Sequence, residues 1–180
     1  GASVLHLFRR VYIGNPSCTL IKRDLGLYYD KRFKFVVDFE YYIRCFRKLR
    51  RWEYIDEVLV QVGFNQNQVT KYTILAKEVQ VPENQLLLQM LGPVVLRNPF
   101  VFDYYWRLLR NLGIRQPDEI KMLSGINAHP IQKLMLTVQR LFPVRWLKVG
   151  LLSKILMSCT YVVSLFYQLQ VKNFPTPASI

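Results

Sequence analysis

The sequence predicts a mostly helical α+β chain: an α/β portion over residues 1–80, then a helical region over 81–180. Three observations predict it. Before Pro82, short β-branched and aromatic runs (17–22, 31–37, 54–62) surround one helical pattern, in which Phe39, Tyr42, Ile43, Phe46 and Leu49 recur at i, i+3, i+4, i+7 and i+10. After Pro82, punctuation at Gly92-Pro93, Pro99, Gly113, Pro117, Pro130 and Pro143 cuts the chain into helix-length pieces. Of the 180 residues 51% are apolar, with 11 Tyr and 11 Phe, which is enough to bury a core and too much for a disordered chain.

Residues 4–12 form a short helix or the end of one. Gly14-Asn15-Pro16 is a sharp loop, because Pro fixes its own φ and pushes Asn15 out of the helical region. A strand follows at 17–22, and 31–37 is a second extended run. Asp38 stands where Val36 and Val37 give way to the helical pattern, so it is expected as the N-cap of a helix running from Phe39 to about Arg51. Such a carboxylate lies at the positive end of the helix dipole and stays ionised. Glu40 favours the same dipole and pairs with Arg44 at i+4, or it faces outward to bind a ligand hydroxyl.

Residues 54–62 are expected as a strand with a turn at Gly63, and 65–67 as polar loop. A helix over 70–80 is expected to stop at Pro82, and another over 83–91 to stop at Gly92-Pro93. Over 100–112, Phe100, Tyr104, Leu108 and Leu112 form an i+4 stripe with Gly113 as the stop. Pro117-Asp118-Glu119 opens a helix, and Pro130 opens one to about Phe142 behind the loop residue His129. Tyr104, Tyr105 and Trp106 are read as core, with Trp106 also a candidate for stacking on a sugar ring.

The last segment, 144–171, is the most apolar, and 155–171 carries no charge. Basic residues flank it: Arg140, Arg145, Lys148 and Lys154 before, Lys172 after. The segment reads as an amphipathic helix that packs on the domain or lies in an anionic membrane interface, short of a full span because Ser158, Ser164, Gln168 and Gln170 interrupt it. Residues 174–180 are a tail, Gly1-Ala2-Ser3 has the look of an expression scar, and no signal peptide is visible.

A formal charge of +13, from 25 Lys plus Arg against 12 Asp plus Glu, points to an anionic partner. The densest cluster is Arg44, Arg47, Lys48, Arg50 and Arg51, equally readable as a solvated helix end. Three scattered cysteines and two distant histidines, His6 and His129, suggest neither a disulfide scaffold nor a zinc site.

Several pieces fall in a familiar order: Gly14-Asn15-Pro16-Ser17, the basic-acidic step Ile21-Lys22-Arg23-Asp24, Tyr29-Asp30, and Val37-Asp38-Phe39-Glu40 leading to Arg44. A strand-like run over 56–62 and Gln68-Val69-Thr70 follow. Over residues 10–80 this order resembles the second half of the catalytic domain of family-2 glycosyltransferases, inverting GT-A-fold enzymes that use sugar nucleotides. The resemblance implies that Asp38 is the catalytic base, taking the proton of an acceptor hydroxyl as it attacks the anomeric carbon. It implies an acceptor side shaped by Asn15 and Pro16, with Glu40 and Trp106 as further substrate-binding candidates. It also implies a nucleotide-sugar donor, a saccharide or lipid-linked acceptor, and a cytoplasmic enzyme peripheral to the inner face of the membrane, building cell-envelope polysaccharide.

The departures are specific. The family holds Mn²⁺ or Mg²⁺ on the donor diphosphate through an Asp-x-Asp motif, and this chain contains none, nor a Gly-rich phosphate loop. Val37 stands where many members carry Glu, and no His follows Gly63 near the Gln-x-Thr element. The divalent cation is therefore expected of a fuller enzyme, with no metal ligand here and no activity from these residues alone. Two other readings stay open. One is a basic helical nucleic-acid-binding module, disfavoured by the absence of a helix-turn-helix, zinc or single-strand-binding motif. The other is a non-catalytic adaptor on a membrane surface.

Overall fold

In a computed structural model of the chain, residues 4–9, 13, 16–49, 53–61 and 76–170 are described, with side chains to 167. Three short 3₁₀ turns (Val4–Phe8, Pro16–Cys18, Arg23–Leu25) precede α1 (Val37–Lys48). After residues 53–61 come α2 (Lys77–Leu91), a further 3₁₀ turn (Pro93–Arg97), α3 (Pro99–Asn111), α4 (Pro117–Ser124), α5 (Pro130–Arg140), α6 (Val144–Leu147) and α7 (Gly150–Gln170). The chain is mostly helical.

No strand forms among the described residues, which corrects the α/β portion expected over 1–80. A strand needs a neighbour to take up its N–H and C=O groups. Residues 17–22 instead start in a 3₁₀ turn closed by Thr19, whose N–H and hydroxyl both donate to the Pro16 carbonyl, at 3.1 and 2.8 Å. Residues 53–61 run irregularly along the surface, with Val58 92% and Leu59 62% exposed. The third run, 31–37, has its amides satisfied from elsewhere. Glu83 of α2, 6% exposed, accepts the N–H groups of Lys34, Phe35 and Val36 at 2.8, 2.9 and 2.9 Å. One buried carboxylate thus replaces a ladder and clamps the approach to α1 onto α2.

That clamp moves the helix start. The Val36 carbonyl accepts the Glu40 N–H at 2.9 Å, so Val36 is the N-cap and Asp38 is the second helical residue. Val36 and Val37 have extended preference in isolation, but tertiary anchoring overrides β-propensity. At the other end α1 stops at Lys48, with Leu49 extended. Arg44 and Lys48 turn back onto the preceding loop, donating to the Tyr28 and Leu25 carbonyls at 2.7 and 2.6 Å. Two cations of the basic cluster are thereby spent on backbone; Arg50 and Arg51 lie outside the described residues.

Pro82 does not end a helix, contrary to expectation: α2 runs through it without interruption. Only one intrahelical bond is forfeited, the one its missing N–H would make to the Glu78 carbonyl. Packing offsets the loss, since Val81, Leu87, Leu88 and Leu91 are buried and Asn84 donates to the Gln80 carbonyl at 2.8 Å. Asn84 also ties α2 to α3, its Oδ1 accepting from the Tyr104 hydroxyl at 2.7 Å and its carbonyl from that of Tyr105 at 2.8 Å.

The centre of the core is α3. Asn98 caps it, accepting the Phe100 N–H at 2.9 Å. Its most buried face is Val101, Phe102, Tyr105, Trp106 and Leu109, one residue round from the expected Phe100-Tyr104-Leu108-Leu112 stripe, of which Leu112 is buried and the other three only partly so. The residues 4–8 turn packs on both α1 and α3, with the Phe8 ring edge-on to Phe39 and Tyr104 at 4.7 and 5.2 Å between centroids. His129, expected as a plain loop residue, is the N-cap of α5; its Nδ1 accepts the Ile131 N–H at 3.3 Å. Burial pushes its imidazole down to about 4, so the ring stays neutral and can accept.

The last helix, α7, is inside-out. Toward α3 and α5 it turns Ser153, Thr160 and Ser164, all buried, and outward it turns Leu151, Ile155, Val162, Val163 and Phe166, each at least half exposed. Thr160 and Ser164 satisfy their hydroxyls on the carbonyls of Leu156 and Tyr161, so small polar residues can face the interior at no cost in unmade bonds. By length and composition Gly150–Tyr167 could cross a membrane, with mean hydropathy 1.4 and only 17% of it buried.

Candidate active site at the head of helix α1

Asp38 is half-buried in the first turn of α1 and, unlike a capping aspartate, forms no hydrogen bond or ion pair among the described residues. Loss of water around it raises its pKa above the usual aspartate value. Its charge is felt by two tyrosines, Tyr29 and Tyr42, whose hydroxyls are raised first by their own burial and then by Asp38. Tyr42 is buried and bonded to the Thr19 side chain, which brings the Pro16–Cys18 turn up to the same place. Tyr29 is 47% exposed and leans on Tyr41, with centroids 4.4 Å apart and planes inclined by 33°. Next to it, Arg32 hydrogen-bonds the Asp30 carboxylate and holds it down at about 2, so this second acid is ionised and committed.

The sequence candidates separate on this geometry. Pro16 is tied to the Asp38 neighbourhood only through Thr19, which bonds Tyr42; Asn15 lies outside the described residues, as do Gly63 and Gln68-Val69-Thr70. Glu40 is 1% exposed, and its two oxygens are taken by the Arg44 guanidinium, Oε2 at 2.9 Å. That is the i,i+4 pair expected from spacing, and it leaves no oxygen facing an acceptor. Trp106 is 1% exposed on α3, and its indole N–H donates to Ser153 Oγ at 3.2 Å. A ring so enclosed offers no open face for a sugar, and the cleft it borders is not one that Asp38 lines.

Tyr29 is half of the Tyr29-Asp30 piece of the motif string, and nothing local in the sequence distinguishes an exposed tyrosine near a carboxylate from a buried one. Among the described residues no group of three or more His, Cys, Asp or Glu side chains could hold a cation. No family model, curated protein or solved structure matches the chain.

Proposed function

We propose that this chain forms the acceptor side of an inverting glycosyltransferase working at a membrane surface. The observation that carries the reading is Asp38, a partly desolvated carboxylate in the first turn of α1 whose oxygens are not consumed by its own helix. In this role it accepts the proton of an acceptor hydroxyl while that oxygen attacks the anomeric carbon. The nucleotide diphosphate leaves from the opposite face, and the configuration inverts. Its raised pKa makes it a better base than an N-cap aspartate, and its fixed backbone supplies positioning. Tyr29, with an exposed ring near the Asp38 charge, takes the stacking role first given to Trp106.

Neither Asp-x-Asp nor a Gly-rich loop is present in these 180 residues, so the role proposed for them is confined to the acceptor side. The outward apolar face of α7 and the cations around it suit a lipid-linked acceptor on an anionic, cytoplasm-facing membrane. The nucleic-acid reading is weakened because Arg44 and Lys48 of its key cluster are bound to a carboxylate and to carbonyls.

The test is the anomeric configuration of the product when this chain is joined to a donor-binding region and supplied with nucleotide-sugars and lipid-linked saccharides. Proton NMR of the first-formed glycoside should show inversion relative to the donor. Retention, or hydrolysis of the donor without transfer, would remove the proposal.

A further inference from the structure

We propose that the cleft between α3 and the first turn of α7 binds the phosphate of an anionic phospholipid, whose acyl chains lie along the outward apolar face of α7. The cleft encloses about 320 Å³ and is lined by four cations, Arg9, Arg107, Arg110 and Lys154, against a single carboxylate, Asp103. Asp103 is already engaged by Arg107 at 2.9 Å. Among the described residues Arg110 reaches neutral acceptors alone: Ser153 Oγ at 2.8 Å, Asn111 Oδ1 at 3.0 Å and the Leu147 carbonyl at 3.2 Å. Arg9 rests over the Phe100 ring, 5.6 Å from its centroid. The site is therefore short of negative charge by construction. Burial, and then the neighbouring Arg107 charge, lower the pKa of Arg110, a tension that a bound anion relieves.

Two features select a lipid phosphate over a soluble one. Lys154, in the cleft wall, sits on α7 between Leu151 (74% exposed) and Ile155 (51% exposed), so the charged mouth continues directly into the apolar face. From the other side α6 presents Trp146, 49% exposed, between Arg145 and Lys148, both exposed. An amphipathic ring flanked by cations is the arrangement that settles at headgroup level. A soluble phosphate compound would need the cleft and none of the apolar surface beside it.

This inference rests on the membrane-surface half of the proposed function and not on the transfer chemistry. The experiment is co-sedimentation of the intact chain with vesicles of phosphatidylcholine alone or mixed with phosphatidylglycerol. Arg9→Gln with Lys154→Gln is compared with Lys121→Gln with Lys133→Gln, which removes the same charge from α4 and α5. All four side chains are exposed, so both variants should fold, as circular dichroism would verify. The expected result is binding to the mixed vesicles, a loss of roughly tenfold or more for the cleft pair, and about threefold or less for the control pair. Inorganic pyrophosphate should compete with the vesicles.

Equal losses in the two pairs would mean diffuse attraction and would overturn the cleft while leaving Asp38 untouched. Saturable pyrophosphate binding without vesicle binding would overturn the lipid and leave a site for a soluble phosphate compound. Tighter binding of single-stranded RNA than of vesicles, lost in the cleft pair, would transfer the site to nucleic acid and overturn the proposal as well.

Discussion

Replacing Glu83 by Gln should lower the unfolding free energy by roughly 3 kcal/mol, a large fraction of the total for a domain of this size. The carboxylate takes three backbone N–H groups with two oxygens: Lys34 on Oε1, and Phe35 and Val36 on Oε2. An amide keeps one acceptor oxygen and puts an NH₂ opposite the remaining donors, so at least one of the three N–H groups loses its partner and meets a like dipole. Hydrogen bonds to an ionised acceptor are among the stronger ones, and orphaned buried donors carry the full desolvation cost. Equilibrium urea unfolding, at an unchanged slope, reads the difference. A loss under about 1 kcal/mol would mean that the approach to α1 is held by something else. The same substitution should depress any function of Asp38, because the segment it releases is the one that sets where α1 begins.

Asp38→Asn should cost about 10²- to 10⁴-fold in the rate of glycosyl transfer, the usual contribution of a positioned general base, with the acceptor KM little changed. Asn preserves size and most of the local packing, so the loss tracks the missing proton acceptor. A membrane-surface adaptor would lose nothing. The substitution should also leave the fold as stable as before at neutral pH, or more stable. With its folded pKa raised by desolvation, Asp38 is easier to protonate in the folded chain than in the unfolded one. Its ionised form is then a burden on the fold, present at neutral pH and relieved as pH falls through the raised value toward about 4. Asn carries no such burden, so its advantage should shrink across that interval. Loss of activity with no loss of stability is the pattern of a residue kept for chemistry.

What could be read from the sequence was mostly local. Pro99, Pro117 and Pro130 do open helices and Gly113 does follow a helix end in left-handed conformation, because these depend on φ and on terminal amides, which the residue itself dictates. The Glu40–Arg44 pair followed from i,i+4 spacing. What escaped depends on distance. Val36-Val37 reads as extended because nothing nearby announces that Glu83, 47 residues beyond Val36, takes the amides of Lys34, Phe35 and Val36. Pro82 looked like a stop because the packing and the Asn84 bridges that carry α2 past it come from α3.

The orientation of α7 was hidden for a related reason. A helix with mixed Ser, Thr and aliphatic residues is expected to turn its apolar side inward, and here the small polar residues fit closely against α3 and α5 instead. At the candidate site, composition and periodicity indicate the helix and the charge but place the cap two residues late, at Asp38 instead of Val36. The functional reading came from the order of the motif pieces, and Tyr29 needed coordinates to be seen.

An Asp38 carboxylate that is desolvated and without a bond among the described residues titrates differently from one that caps a helix. Titration of its side-chain carboxyl by carbon-13 NMR, with Asp38→Asn identifying the resonance, tests that directly on this chain. The expected result is an apparent pKa above the ordinary value of about 4, moving further when an acceptor saccharide is added. A value below it, insensitive to acceptor and joined by a helix that weakens by about 1 kcal/mol in Asp38→Asn, would make Asp38 a cap and remove its role as a base.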